Sequence, residues 1–300
     1  MFEIIDGFKK GFETWKLVWV RQMLIQIILG FLTLFVITPF GFLIAIFGAT
    51  RSFDVTIEEG NLITPALIEL MMENLGFWIS VFSTVFILVI FATIITGAIQ
   101  NIAHQRVKKD DIRLEDNFKE IIPLIVPLAV AGIVMIIIMG IPMLIAAEIF
   151  HLIDDPNTPI VYSFPLFDST VNLTFLDIIA NLVFLVLIIL FSGPYFLAIS
   201  KIVADKAGIS SIVASWKLYF QKFLSVIIAM TSIFIIGLIS LVVLFFPING
   251  IVVAGNSTPT DLPLLFFSIF LLMIISVLMQ FIVTNWLFTS LYCFYKELAE

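Results

Sequence analysis

The sequence predicts an all-α transmembrane protein that folds as a six-helix bundle. Its composition is 61% hydrophobic and only 12% charged, with a mean hydropathy of +1.19, whereas about a quarter of the residues of a soluble domain are charged. The charges are confined to short stretches between six long apolar intervals, each exceeding the roughly 20 residues that a helix needs to cross hydrocarbon. Because lipid offers the backbone no hydrogen-bond partners, these runs predict helices.

The whole chain, residues 1–300, is predicted to form a single membrane domain. Residues 1–22 are predicted to form a cytoplasmic amphipathic helix, because Phe8, Phe12 and Trp15 share one helical stripe while charged residues occupy the other sides. This helix is expected to lie flat on the inner leaflet.

Six membrane-spanning helices follow from trimming the apolar intervals at Gly, Pro and charged residues. The predicted spans are residues 23–48, 77–103, 121–147, 176–200, 223–246 and 264–292. Pro39 in the first span and Pro142 in the third predict kinks in those helices.

A second amphipathic helix is predicted at 207–222, directly before the fifth span. Its polar side carries Lys217 and Lys222, and its apolar stripe consists of Ile209, Ile212, Trp216, Tyr219 and Phe223. We expect this stripe to face the inner leaflet, as in the first helix.

The basic residues predict the orientation of the chain. All but one of the 15 Lys and Arg residues fall on one side of the predicted spans, and the exception is Arg51. Since Lys and Arg accumulate in cytoplasmic loops, both termini are predicted to be cytoplasmic in a multi-pass protein of the cell membrane. The opposite segments are acidic, carry potential glycosylation sites at Asn172 and Asn256, and give no reason to expect nucleic acid as a partner.

Two short motifs recur along the sequence. Thr14-Trp15-Lys16-Leu17 before the first span matches Ser215-Trp216-Lys217-Leu218 before the fifth, and Thr96-Gly97 near the end of the second span matches Ser192-Gly193 near the end of the fourth. The pattern predicts three pseudo-repeated hairpins, each with an interfacial helix on the cytoplasmic side, an outward span and an inward span.

Two groups of residues are candidates for function. Basic and aromatic residues beside the inner leaflet can gather anionic lipid, each cation contributing about 1 kcal/mol, although such residues are more often simple membrane anchors in proteins of every function. The candidate lipid contacts are Lys9, Lys10, Trp15, Lys16, Trp216 and Lys217.

The second group consists of polar or helix-breaking residues within and at the ends of the spans. A helix broken by glycine and proline can form a transport site, while interhelical hydrogen bonding is the alternative role for the amides and solvation the alternative for the carboxylates. The candidate cavity residues are Gln100, Asn101, Glu148, Asp177, Gly193, Pro194 and Asn285.

The sequence offers no catalytic constellation. His104 and His151 are the only histidines and are predicted to lie on opposite sides of the membrane, and no nucleotide-binding, metalloprotease or serine-hydrolase motif occurs. No catalytic residue, metal site or cofactor is therefore predicted.

The Trp-Lys motifs before the spans, the three hairpins and the small share of soluble chain resemble uncharacterised six-pass membrane proteins of archaea and bacteria. More distantly, the chain resembles the membrane portion of some glycerophosphodiester phosphodiesterases, but it contains no counterpart of their soluble domain and its acidic metal ligands. The resemblance implies a membrane fold and assigns no functional residue.

Three hypotheses of function remain. The first is a non-enzymatic membrane protein that organises lipids or partner membrane proteins, including further copies of itself. The second is a transporter of small solutes or lipids with a cavity near Pro142, Gly193 and Pro194. The third is an enzyme that acts on lipid headgroups at the acidic outer face.

Overall fold

In a computed structural model of the protein, residues 2–52, 75–108, 113–154, 175–206, 208–255 and 262–299 are described. These residues form α-helices and one 3-10 turn, and they contain no β-strand. The helices are α1 (Phe2–Ser52), α2 (Leu75–Lys108), α3 (Leu114–Ile121), α4 (Ile125–Asp154), α5 (Phe175–Asp205), α6 (Ser210–Gln221), α7 (Phe223–Gly255) and α8 (Leu262–Ala299), with a 3-10 turn, Ile122–Leu124, between α3 and α4. The predicted all-α class is confirmed for this part of the chain.

Five helical stretches in the described part are long and apolar enough to cross a membrane. They are Ile4–Leu43, Ile79–Lys108, Leu114–Met143, Ile179–Asp205 and Phe223–Ser240. Large apolar side chains cover their outer surfaces, and Phe35 is 83% exposed. An apolar surface of this extent requires a lipid environment, so these helices indicate a membrane protein.

The sixth predicted span lies in α8, which is not among these five stretches. Side chains of residues 262–277 lie outside the described part of the chain. The number of spans and the orientation of the termini therefore stay predictions.

The first helix differs from its expected division into an amphipathic helix and a separate span. α1 is a continuous helix of 51 residues, because no proline or turn-forming residue separates residues 1–22 from the span that follows. Its buried positions Ile4, Gly7, Gly11 and Val18 recur at helical spacing and lead into Ile25, so one face continues along the helix. α1 contacts α8 and α2 most extensively.

A helix ends directly before a span at a different place, between α6 and α7. Lys222 leaves the helical conformation with φ −116° and ψ 28°, and its amide donates to the Leu218 carbonyl. α6 is thus a separate helix of 12 residues that contacts α5. A second short helix, α3, precedes α4 and is joined to it by the 3-10 turn that contains Pro123.

The long helices contact one another in a regular order. α2, α5 and α8 touch each other, and α1, α4 and α7 each contact two of these three. We call α2, α5 and α8 the inner helices. The end of the molecule at which α1 begins and the inner helices terminate contains most of the buried side chains, and we call it the basic end because Lys and Arg residues surround it.

Candidate functional site

A network of buried polar side chains joins the inner helices at the basic end. His104 Nδ1 of α2 is hydrogen-bonded to the hydroxyl of Tyr292 in α8, and Ser200 of α5 donates to Gln100 Oε1 of α2 at 3.0 Å. Polar groups buried in a membrane protein stabilise it when they are paired between helices. The apolar core around them includes Ala103 and Val203.

The network continues from α2 to the short helix α3. Asn101 donates from its amide to Asn117 Oδ1 of α3, and its own oxygen accepts a hydrogen bond from the Lys206 ammonium. Lys206 also pairs with Glu120 of α3 at 2.9 Å. These contacts fix α3 against the ends of α2 and α5.

Lys206 reaches this position through an uncommon backbone conformation. Its φ is 50°, in the left-handed region that a residue with a Cβ seldom occupies. Such a conformation costs of order 1–3 kcal/mol and persists only where surrounding contacts hold it. The bonds to Asn101 and Glu120 are those contacts.

An open pocket of about 530 Å³ lies beside this network. This volume is within the range of small-molecule binding sites. Its polar lining consists of His104, Gln105, Lys108, Lys119, Glu120 and Lys206, and Pro123 and Leu124 supply an apolar wall. We call it the basic pocket.

The charges that line the basic pocket favour an anion. Three lysines and one carboxylate are among the described residues that line the pocket. Lys119 also forms a 2.6 Å ion pair with Glu115 on the surface of α3. Lys108 is exposed and makes no ion pair within the described part of the chain. The surplus of positive charge is therefore available to a ligand.

Gln105 is the least explained residue of the pocket. It is 4% exposed, and neither its amide nitrogen nor its amide oxygen has a hydrogen-bond partner among the residues that the structure describes. A buried polar atom without a partner costs about 1–3 kcal/mol. Gln105 is one of the residues that line the basic pocket, and its amide group lies beneath the pocket surface.

The predicted lipid contacts lie around the same end of the molecule. Lys9, Lys10, Lys16 and Lys217 are exposed, and we call these four residues the lysine collar. The Lys16 ammonium lies 4.3 Å from the centroid of the Phe12 ring, and Lys10 pairs with Glu297 of α8. The collar is thus accessible at a membrane surface.

The two tryptophans of the predicted contacts are half-buried. Trp15 stacks on Phe12 with ring centroids 5.6 Å apart. Trp216 packs against the core between α5 and α6, and its ring lies edge-on to Tyr219 at 6.0 Å. Trp216 therefore contributes to packing within the protein.

Part of the apolar stripe predicted for α6 is buried against the bundle, and part of it is exposed. Ile212 and Tyr219 are buried against the bundle, whereas Ile209 and Phe223 at the two ends of the stripe are exposed. The expectation that the whole stripe faces lipid is wrong, because Tyr219 packs beside Gly193 of α5 and bonds the Leu190 carbonyl.

Pro194 interrupts the backbone hydrogen bonding of α5 next to Gly193, although the helix itself continues to Asp205, and we call this interruption the proline break. Pro194 has no amide hydrogen to donate to the Leu190 carbonyl one turn earlier, and the Tyr219 hydroxyl donates to this carbonyl instead at 3.0 Å. Ser215 donates to the Pro194 carbonyl at 3.3 Å. Burial raises the pKa of the Tyr219 phenol, which keeps it protonated as the donor.

Gly193 allows α6 and α7 to approach α5 closely. A Cβ placed at this position would lie 2.8 Å from Tyr219 Cε2 and 2.9 Å from Val226 Cγ1. The free space next to Pro194 is about 20 Å³ and is lined mainly by apolar residues, roughly the room for a single water. Pro142 is half-buried in α4 and does not line that space.

The other predicted cavity residues have separate environments. Gln100 and Asn101 belong to the network at the basic end. Asn285 is fully buried in α8 with both amide atoms unpaired, one helical turn from Thr289, which accepts a hydrogen bond from Gln22 at 2.8 Å. The side chains of Glu148 and Asp177 lie outside the described residues.

Sequence reasoning missed the basic pocket, although its signal is present. Gln100, Asn101, His104 and Gln105 recur at helical spacing at the end of the second span, which indicates a polar face directed into the protein. Lys206 and Lys119 could not be joined to this face from the sequence, since their proximity depends on how α3 packs.

Metal binding has no support in the part of the chain that the structure describes. No group of three or more His, Cys, Asp or Glu residues there is arranged to hold an ion. Cys293 is a free, buried cysteine.

The helices and the site define an α-helical membrane protein with a positively charged pocket at its basic end. Comparisons with protein-family models, curated proteins and solved structures find no match to this chain.

Proposed function

We propose that this protein is a non-enzymatic membrane protein that gathers and organises anionic lipids at the inner leaflet. The observation that carries the proposal is the lysine collar at the basic end, where four exposed ammonium groups lie beside the apolar surface of α1 and α6. Each such cation contributes about 1 kcal/mol to attraction toward an anionic membrane surface.

Exposed apolar side chains support a position at the membrane interface. Leu17 and Trp19 are exposed next to Lys16 in α1, and Val213 and Phe220 are exposed on either side of Lys217 in α6. Apolar and basic groups side by side are typical of segments that lie at the headgroup level.

The same proposal includes six spans with both termini in the cytoplasm and three hairpins. The order of contacts supports the hairpins, because each of α1, α4 and α7 touches the inner helix that follows it and one other inner helix. The positive-inside tendency supports a cytoplasmic position for the basic end.

Lipid enrichment around the protein tests the proposal. The protein is reconstituted into phosphatidylcholine vesicles that contain a minor share of brominated phosphatidylglycerol, which quenches nearby tryptophans. We expect quenching above that given by brominated phosphatidylcholine, with the excess falling at high salt. Changing the collar to glutamine, as Lys9→Gln, Lys10→Gln, Lys16→Gln and Lys217→Gln together, should remove most of this excess.

The matched control replaces the same four lysines by arginine, which retains the charge and should retain the excess quenching. Since each lysine is expected to change local lipid preference by about fivefold at most, the four-residue variant gives the clearest signal. The same anionic excess in the glutamine variant and in the parent protein would contradict the lipid-organising proposal.

A further inference from the structure

We propose that the basic pocket is a specific site for one phosphate-bearing headgroup that also carries a hydroxyl group. The inference deepens the proposed function and rests on it in part: the lysine collar gathers anionic lipid, and the basic pocket selects one molecule from it. The pocket is separate from the collar in its residues, since none of the four collar lysines lines it.

The cations of the pocket account for the phosphate. Lys108, Lys119 and Lys206 line a space of about 530 Å³, and Glu120 is the one carboxylate among the described residues that line it. Glu120 is held by Lys206 at 2.9 Å, which leaves the exposed Lys108 as the main charge for a ligand. Ammonium groups bind phosphate oxygens through strong charge-assisted hydrogen bonds.

Gln105 accounts for the hydroxyl group. Its two unpaired amide atoms need one acceptor and one donor. A phosphate diester has acceptors only, so it can satisfy the Gln105 nitrogen and leave the oxygen without a partner. When the Gln105 side chain turns toward the pocket, a headgroup hydroxyl supplies the missing donor, and a phosphorylated polyol therefore matches the pocket better than a simple phosphate diester.

The position of the pocket suits a lipid as the source of this group. Pro123 and Leu124 form its apolar wall and belong to the 3-10 turn that leads into the span of α4. A headgroup bound beside Lys108 could leave its acyl chains in the membrane along α4. A soluble phosphorylated polyol has the same headgroup chemistry and is the other possible source.

Native mass spectrometry of the protein released from detergent micelles tests the site. The probes are phosphatidylglycerol and phosphatidylmethanol, which have the same charge but differ in the headgroup hydroxyls, with phosphatidylcholine as a third lipid. We expect one phosphatidylglycerol molecule to remain bound, about tenfold more tightly than phosphatidylmethanol, since a site built to bond a hydroxyl discriminates against its absence. Phosphatidylcholine should bind least.

Two variants assign the binding to the pocket. Gln105→Leu should make phosphatidylglycerol and phosphatidylmethanol bind equally, and Lys108→Gln should weaken both by about tenfold. Gln105→Leu is expected to fold, because an unpaired buried amide is replaced by an apolar side chain of similar size. Lys217→Gln, a collar residue outside the pocket, is the matched control for Lys108→Gln and should leave the bound molecule in place.

Competition with glycerol phosphate and with inorganic phosphate distinguishes the two sources. A lipid source predicts that neither displaces phosphatidylglycerol at comparable concentration, whereas a soluble source predicts that glycerol phosphate binds one to one and displaces the lipid. Either result supports the site when Gln105→Leu abolishes the preference for the hydroxyl. Absence of bound lipid and of bound glycerol phosphate, or equal binding of phosphatidylglycerol by the parent and the Lys108→Gln protein, would overturn it.

The failure of this site is distinguishable from failure of the proposed function. The glutamine collar variant should lose the salt-sensitive enrichment in vesicles and keep the single bound molecule. The pocket variants should keep the enrichment, while Lys108→Gln weakens the bound molecule and Gln105→Leu removes the preference for the hydroxyl group. A protein that enriches anionic lipid normally but binds none after extraction would refute the pocket alone.

Discussion

The first part of α1 and the short helix α6 carry the same Trp-Lys motif but are attached to the bundle by different means. In α1, Gly7 and Gly11 let the helix backbone approach α8, so that a Cβ on Gly11 would lie 2.5 Å from the Ser290 Cα. In α6, the Tyr219 side chain fills the space beside Gly193 and bonds the Leu190 carbonyl. Similar surface patterns therefore conceal two docking mechanisms, one through backbone proximity and one through a side chain.

The difference follows from what each helix meets. α8 is continuous where α1 crosses it, and close packing of two intact helices requires small residues at the contact. α5 contains Pro194 where α6 crosses it, so a carbonyl has lost its helical donor and a tyrosine replaces that donor. The two contacts should therefore respond differently to substitution.

The largest effect is expected for Gly11→Leu. The new side chain would meet the backbone of α8 at Ser290, which cannot move aside without separating the two helices. We expect a loss of about 3 kcal/mol in the free energy of unfolding, measured by titration with denaturing detergent in mixed micelles. Gly30→Leu is the control in the same helix, since nothing lies within 4 Å of a Cβ there. Equal stability of the two variants would contradict the backbone contact.

A smaller loss is expected for Gly193→Leu. The atoms that meet the new side chain belong to Tyr219 and Val226, and side chains can rotate away in part. We expect a loss of about 2 kcal/mol in the same titration, with Gly237→Leu as the open-space control. A loss as large as that of Gly11→Leu would show that α6 is docked as rigidly as α1.

The hydrogen bond from Tyr219 is expected to contribute less than either glycine contact. Tyr219→Phe removes the donor to the Leu190 carbonyl and should cost about 1 kcal/mol. The Pro194→Ala background restores a backbone donor for that carbonyl, so Tyr219→Phe should cost much less there. A double-mutant cycle on the free energy of unfolding measures this coupling. An equal cost in both backgrounds would show that the Tyr219 hydroxyl does not replace the donor that Pro194 lacks.

The smallest effect is expected for Lys10→Gln. Lys10 pairs with Glu297 at the junction of α1 and α8, but its side chain is 59% exposed. An exposed ion pair of this type contributes about 0.2–1 kcal/mol and is weakened by salt. We expect a change at the lower end of that range, which disappears at high salt. A large, salt-independent loss would show that the charge pair, and not the glycine contact, docks α1.

Part of this arrangement could be predicted from residues alone. The long apolar runs indicated membrane helices, and five such stretches are present in the described part of the chain. The Trp-Lys motifs located the two basic helical segments. The Gly7-x-x-x-Gly11 spacing is a known signal for close helix contact, and it indicates the face of α1 that is buried.

Other features could not be predicted because they depend on residues far apart in the chain. The tyrosine that completes the proline break is 29 residues from the carbonyl it bonds, and Lys206 meets Asn101 over a separation of 105 residues. An apolar stripe has the same appearance whether it faces lipid or another helix, since both surroundings are apolar. The predicted lipid-facing stripe of α6 was wrong at Ile212 and Tyr219 for this reason.

The sequence by itself determined that the chain is built from apolar helices and that its lysines gather at one end, because helix length and charge placement are local properties of the chain. Only the tertiary structure decided which faces are buried and which polar groups stay unpaired. Gln105 is the clearest case: its position on α2 is evident in the sequence, but its two unpaired amide atoms and the lysines around it exist only once α3 has packed against α2 and the end of α5.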